Sequence, residues 1–170
     1  MVLGQSDKLS EKCNHNQNLN GRSPTELASP SSLCMPSQIE FDKLGNLYII
    51  ENYYEGQGNR RIIMYEAADL RNAEITRSQS SVNVYFPNLN AKKVFGKKSL
   101  SAFYSDSSDL DRYLSNAVSI AFNSQNQMVM GGDGYYAGDI KERAERQLFL
   151  YNNPLMKNPD GSYVQDQIPD

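Results

Sequence analysis

The chain has no tryptophan, one histidine and two cysteines in 170 residues. With a single imidazole, most general-base and catalytic-triad schemes fall away, as does any multi-histidine metal centre. A zinc site built on Cys13, His15 and Cys34 would need a fourth ligand, and Cys13-x-His15 is not a usual ligand spacing, so His15 reads as a solvated loop residue. Long apolar runs are missing as well. Nothing approaches the roughly 20 apolar residues that a membrane-spanning helix requires. Met1-Val2-Leu3-Gly4 passes at once into Gln, Ser and Asp rather than into a signal-peptide apolar region, which taken alone points to the cytoplasm. Nor is there an excess of positive charge. Seventeen basic residues stand against 20 acidic ones, a net charge of −3, which argues against broad nucleic-acid binding through a basic surface and makes RNA the least favoured partner.

What is present suits one folded domain. Apolar residues make up 39% of the chain, and its 11 glycines bring it to the lower edge of the globular range. Lys92-Lys93 and Lys97-Lys98 are the local basic pairs, read here as solvated residues protecting a strand edge.

The chain is organised around 41–65. Leu47-Tyr48-Ile49-Ile50 and Ile62-Ile63-Met64-Tyr65 are β-branched and aromatic runs bounded by Gly and Asn, and both read as strands. Ser37-Gln38-Ile39-Glu40-Phe41 alternates polar and apolar and ends in the turn-forming cluster Asp42-Lys43-Leu44-Gly45-Asn46. These make a three-stranded meander.

A second copy follows. Leu33 to Phe41 lies over Leu114 to Phe122 at an offset of 81, which also sets Gly45-Asn46 over Asn126-Gln127 and Leu47-Tyr48-Ile49 over Met128-Val129-Met130. Ile62 to Tyr65 matches Leu148 to Tyr151 at an offset of 86, and Val2-Leu3-Gly4 matches Val94-Phe95-Gly96 at an offset of 92. Insertions fall between strands, as a repeated β unit should tolerate them. Each unit is then a short strand ending in Gly, a long polar loop and a meander, with residues 1–96 holding the first and 97–170 the second. Four short strands per repeat is the pattern of a β-propeller blade, and the leading short strand is expected to pair on the outside of the previous blade. The expected fold is all-β: two four-stranded antiparallel repeats of a partial propeller. Between them, 67–93 offers about two helical turns at Ala67 to Glu74 and an edge strand at Ser81 to Pro87, with neither excluded.

The residues Met1 to Asp7, Cys13-Asn14, Leu33-Cys34-Met35-Pro36, Asp42 to Ile49 and Asn59-Arg60-Arg61-Ile62 with Tyr65 resemble the NHL-repeat family of β-propellers, in its bacterial extracytoplasmic form. Gly45 and Asn46 in the turn, and Asn59 and Arg61 at the start of the third strand, carry the resemblance. The second copy departs from it, with Asn126-Gln127 for Gly-Asn and Glu145-Arg146-Gln147-Leu148 for Asn-x-Arg-Ile. The resemblance implies a protein-binding, RNA-binding or sensor domain, or a metal-dependent lyase, because this fold does not determine activity.

Three further expectations concern particular residues. Cys13 and Cys34 share one loop, and the second copy lacks both; paired loss is what a disulfide predicts, and with it an oxidising, extracytoplasmic compartment. Gly131 to Asp139 is a Gly-rich stretch whose Asp133 and Asp139 could offer oxygens to calcium, yet it lacks the order of a dedicated loop, so a strand connection is preferred and no cofactor is expected. Tyr53-Tyr54 and Tyr135-Tyr136 each follow a second strand, on the same rim of the two units. Aromatic groups with polar tips suit recognition of protein or carbohydrate, although packing between blades would use them equally well. The leading expectation is a non-catalytic binding scaffold, part of a larger propeller completed by a longer chain or by self-association. The competing class is a propeller lyase or hydrolase with its site at the channel mouth.

Overall fold

The computed structural model describes residues 3, 13, 28–52, 59–78, 89–97, 99–101, 116–133, 146–165, 167 and 169–170. The chain is mostly β. Strands β1 (Pro36–Phe41), β2 (Leu47–Glu51), β3 (Arg61–Tyr65) and β4 (Lys93–Phe95) form one antiparallel sheet in that order; β5 (Asn116–Phe122), β6 (Met128–Asp133) and β7 (Arg146–Tyr151) form a second. The expected second set of four strands is a set of three among the described residues. One helix, α1 (Ala67–Ser78), follows β3 and runs longer than the two turns expected from sequence. Its first turn is fixed from outside, since the Ala67 N–H donates to Asn46 Oδ1 at 2.9 Å, and Asp69 complements the positive helix end. Residues 81–87, the other part of that expectation, lie outside the described residues.

β2 and β3 are buried at every position because the first sheet is covered on both faces along these two strands. Such strands need no polar alternation, which is why they read as continuous apolar runs. On one face Tyr48, Ile50, Ile62, Met64 and Phe95 pack against Ile120, Met128, Met130 and Tyr151 of the second sheet. Tyr48 stacks obliquely on Phe122 with centroids 4.7 Å apart, and Phe95 meets Tyr151 edge-on at 5.3 Å. Leu47, Ile49, Ile63, Tyr65 and Val94 point the other way, against Leu33, Ala91 and Leu70 of α1, with Leu3 packed alongside. A buried side chain of this kind contributes about 1.5–3 kcal/mol.

The two β-turns are built alike. In the first, Asp42 Oδ1 accepts from the N–H groups of Leu44 and Asn46, and the Gly45 N–H donates to Asp42 O. In the second, Asn123 Oδ1 accepts from Gln125 and Gln127, and the Asn126 N–H donates to Asn123 O. Gly45 and Asn126 both have positive φ, at 82° and 62°; Asn is the residue that best tolerates this besides Gly. Each meander also carries an irregularity in its first pairing, between Pro36 and Gln38 and between Ala117 and Ser119.

Candidate binding rim and the polar lock beneath it

Two bonds orient the sheets. Gln38 Nε2 donates to Ile120 O at 3.2 Å, and the Lys43 N–H donates to Asn126 Oδ1 at 3.0 Å. The β1–β2 and β5–β6 turns therefore sit together, and antiparallel pairing sends the β2–β3 and β6–β7 connections out at the opposite end. Those connections carry the tyrosine pairs. Tyr53, Tyr54, Tyr135 and Tyr136 themselves lie outside the described residues, as does Asp139, while Asp133 is the end of β6 and pairs in register with Arg146.

Directly beneath the β2–β3 connection is a buried ion pair. Glu51 and Arg61 are register partners with no solvent exposure, and Arg61 Nε donates to Glu51 Oε2 at 2.5 Å. Glu51 Oε1 also accepts from Asn59 Nδ2 at 2.7 Å and from the Cys34 N–H at 2.5 Å. The guanidinium continues outward, with Nη2 donating to Ser29 O at 3.1 Å and Ser32 O at 3.0 Å, and Nη1 to Leu100 O. A desolvated ion pair survives only when its remaining polar atoms are bonded, and these are. Cys34 is in turn joined to Cys13 by a disulfide, Cα atoms 4.3 Å apart. One Arg and one Glu thus tie residues 29–34, the 13–34 loop closure and residue 100 to the end of β2 and β3.

Every side-chain nitrogen and oxygen of Glu51 and Arg61 is bonded to another part of the chain. Burial, and secondarily the Glu51 charge, pushes the neighbouring Tyr65 phenol upward, with Arg61 opposing. Of the four residues marking the resemblance, Asn59 and Arg61 belong to the lock. Gly45 and Asn46 belong to the first turn, where Asn46 Nδ2 donates to Asp42 Oδ2 at 2.8 Å. Sequence reading placed Asp42 in the turn, where it is found, and missed Glu51, the acceptor that Asn59 and Arg61 serve. A signal existed: Glu51 is the one charged residue of β2, whose other four residues are apolar.

The lysine expectation is corrected in part. Lys92 is exposed and pairs with Asp69 at 3.1 Å, but Lys93 is wholly buried and Lys97 nearly so; Lys98 lies outside the described residues. For Lys93 the cause is the segment after β7, which covers the β4 edge. Gln165 Oε1 accepts from the Val94 N–H at 2.8 Å and its Nε2 donates to Lys92 O at 2.9 Å, replacing a neighbouring strand with one side-chain amide. Lys93 Nζ donates to Gln167 Oε1 at 2.6 Å and lies 4.8 Å from the Phe95 ring centre. Burial lowers its pKa from 10.5 to about 8.

Among the described residues, no group of three or more His, Cys, Asp or Glu could hold a metal ion, and no helix is long and apolar enough to cross a membrane. No protein-family model, curated protein or solved structure matches the chain.

Proposed function

We propose that the chain is part of an NHL-type β-propeller serving as a non-catalytic binding scaffold, meeting a protein or carbohydrate at the end where the tyrosine-bearing connections leave its two sheets. The observation that carries the reading is the shared polarity of the sheets, which brings the β2–β3 and β6–β7 connections to one end. The blade reading is supported by the recurrence of turn bonds and first-strand irregularities 81 residues apart. It is supported also by β4, which pairs on the outside of β3 as a strand leading into the next unit should. The second sheet keeps the apolar rhythm without the lock, since Gly132 and Gln147 are the register partners where the first sheet has Glu51 and Arg61. The disulfide favours an oxidising, extracytoplasmic setting.

The test is binding on a carbohydrate array, with purified extracellular proteins in parallel. Tyr53→Ser/Tyr54→Ser and Tyr135→Ser/Tyr136→Ser should each lower affinity tenfold or more with no change in melting temperature. Binding that survives both double substitutions removes the rim from the account. Stoichiometric bound metal together with metal-dependent turnover would move the protein to the enzyme class.

A further inference from the structure

The outward face of the second sheet is apolar and open. Val129 and Leu150 are register partners, as are Gly131 and Leu148, so these residues share a face, and a Cβ built on Gly131 would lie 3.6 Å from the Leu148 side chain. Leu148 is 80% exposed, and Val129 and Leu150 are about two-fifths exposed. The first sheet has an open area too, on its far side. Ile39 pairs with Ile49 and Phe41 with Leu47, extending the second core cluster onto β1, yet they are 60% and 53% exposed.

These two open areas correspond to the two halves of an interface the molecule already makes. At the sequence offsets of 81 and 86, Val129, Gly131, Leu148 and Leu150 occupy the places of Tyr48, Ile50, Ile62 and Met64. Ile39 and Phe41 occupy those of Ile120 and Phe122. The first set of equivalents packs against the second within one chain. A contact between two different faces of one molecule is heterologous, and it closes into a ring where the rotation per step allows and otherwise runs on as a filament.

The outer edge of β7 repeats the argument in hydrogen bonds. The Lys92 N–H donates to Met64 O at 2.7 Å and leads β4 onto β3. The Asp170 N–H donates to Leu150 O, the equivalent carbonyl, at 2.9 Å, and beyond it no strand among the described residues pairs with the outer edge of β7. Leu3 packs beside the far face of the first sheet, as Phe95 packs beside the second.

We propose that the open face of the second sheet and the outer edge of β7 form one docking surface for a second copy of this chain, laid head to tail. The copy's Ile39 and Phe41 cover Val129, Leu148 and Leu150, and its Leu3 sits beside β7 as Phe95 sits beside β3. Three copies would supply six sheets, within the range at which propellers close. The proposal rests on the blade reading above.

The test combines light scattering of the oxidised 170-residue chain with thiol cross-linking by a short bis-maleimide. Ser119→Cys and Ile39→Cys chains are each treated alone and then as a mixture. A doubly substituted Lys43→Cys/Asn126→Cys chain controls for stacking within one chain. The expected result is a multimeric mass, a bridged dimer in the mixture only, bridging inside the control, and return to monomer in Leu148→Lys/Leu150→Lys with an unchanged β-type circular dichroism spectrum. A monomeric mass with no bridging in the mixture overturns the docking surface while leaving the blade reading intact if the control bridges. Bridging by either single variant alone would mean a face-to-face dimer and also overturns it. Failure of the control to bridge refutes the sheet stacking on which both rest.

Discussion

At Glu51, a replacement by Gln keeps a side chain of the same shape but leaves Arg61 charged, buried and without its carboxylate. Breaking such a pair from one side costs about 3–5 kcal/mol, so Glu51→Gln should shift the urea midpoint strongly, and Glu51→Gln/Arg61→Met should recover a large part of the loss. Asp42 gives a graded comparison with its counterpart. Its carboxylate is buried and accepts from Leu44, Asn46 and the Tyr48 hydroxyl, the last at 3.4 Å, and burial with this neighbour pushes the Tyr48 phenol upward. Asp42→Ala should cost about 2–3 kcal/mol by orphaning buried donors, whereas Asn123→Ala, whose turn bonds are exposed, should cost less than about 1 kcal/mol. Lys93 gives a pH dependence. The folded protein releases this proton near pH 8 and the unfolded chain near 10.5, so between those values the unfolded state binds more protons and stability rises with pH. The cost of the buried ammonium is complete below about pH 8, where it amounts to at most about 3 kcal/mol, reduced by Gln167 and the Phe95 ring. Lys93→Met should abolish the rise, measured by chemical denaturation at a series of pH values from 7 to 10.5.

The elements were largely legible in the sequence. β2 and β3 announce themselves as apolar β-branched runs, and the turns as Asp-Lys-Leu-Gly-Asn and its later variant, because strand burial and positive φ select residue types locally. The sequence also placed Val94-Phe95-Gly96 outside the preceding meander, where β4 is found. It read Lys93 wrongly for a physical reason. The cover over that edge comes from Gln165 and Gln167, more than 70 residues away, and two glutamines in a polar stretch carry no local sign of what they bond. Glu51 was missed for a nearer cause, since its partners at residues 34, 59 and 61 meet it only once β1, β2 and β3 pair. The Cys13–Cys34 pairing followed from the joint absence of both cysteines in the second meander, and the structure has it. Closing a loop with this 21-residue separation stabilises by roughly 3 kcal/mol in the chain-entropy view, and Cys34 also anchors the N–H that reaches Glu51. Reduction should therefore lower the melting temperature by several degrees, and Cys13→Ser/Cys34→Ser should reproduce the shift without reductant.

For the whole molecule, the decisive property is that two sheets stack with their strands running the same way. That arrangement buries one face of each sheet and leaves two open areas, and it collects two tyrosine-bearing connections at one end. Binding at that end and assembly through the open areas are separate consequences, and either can fail without the other. The stack itself is the claim common to both. It is tested most directly by nuclear Overhauser contacts between the aromatic rings of Tyr48 and Phe122 and of Phe95 and Tyr151, recorded on labelled chain diluted into an excess of unlabelled chain so that only contacts within one molecule are read. The account predicts both contacts, with ring centres 4.7 and 5.3 Å apart. Their absence from a folded, oxidised protein that retains the β2–β3 pairing would contradict it.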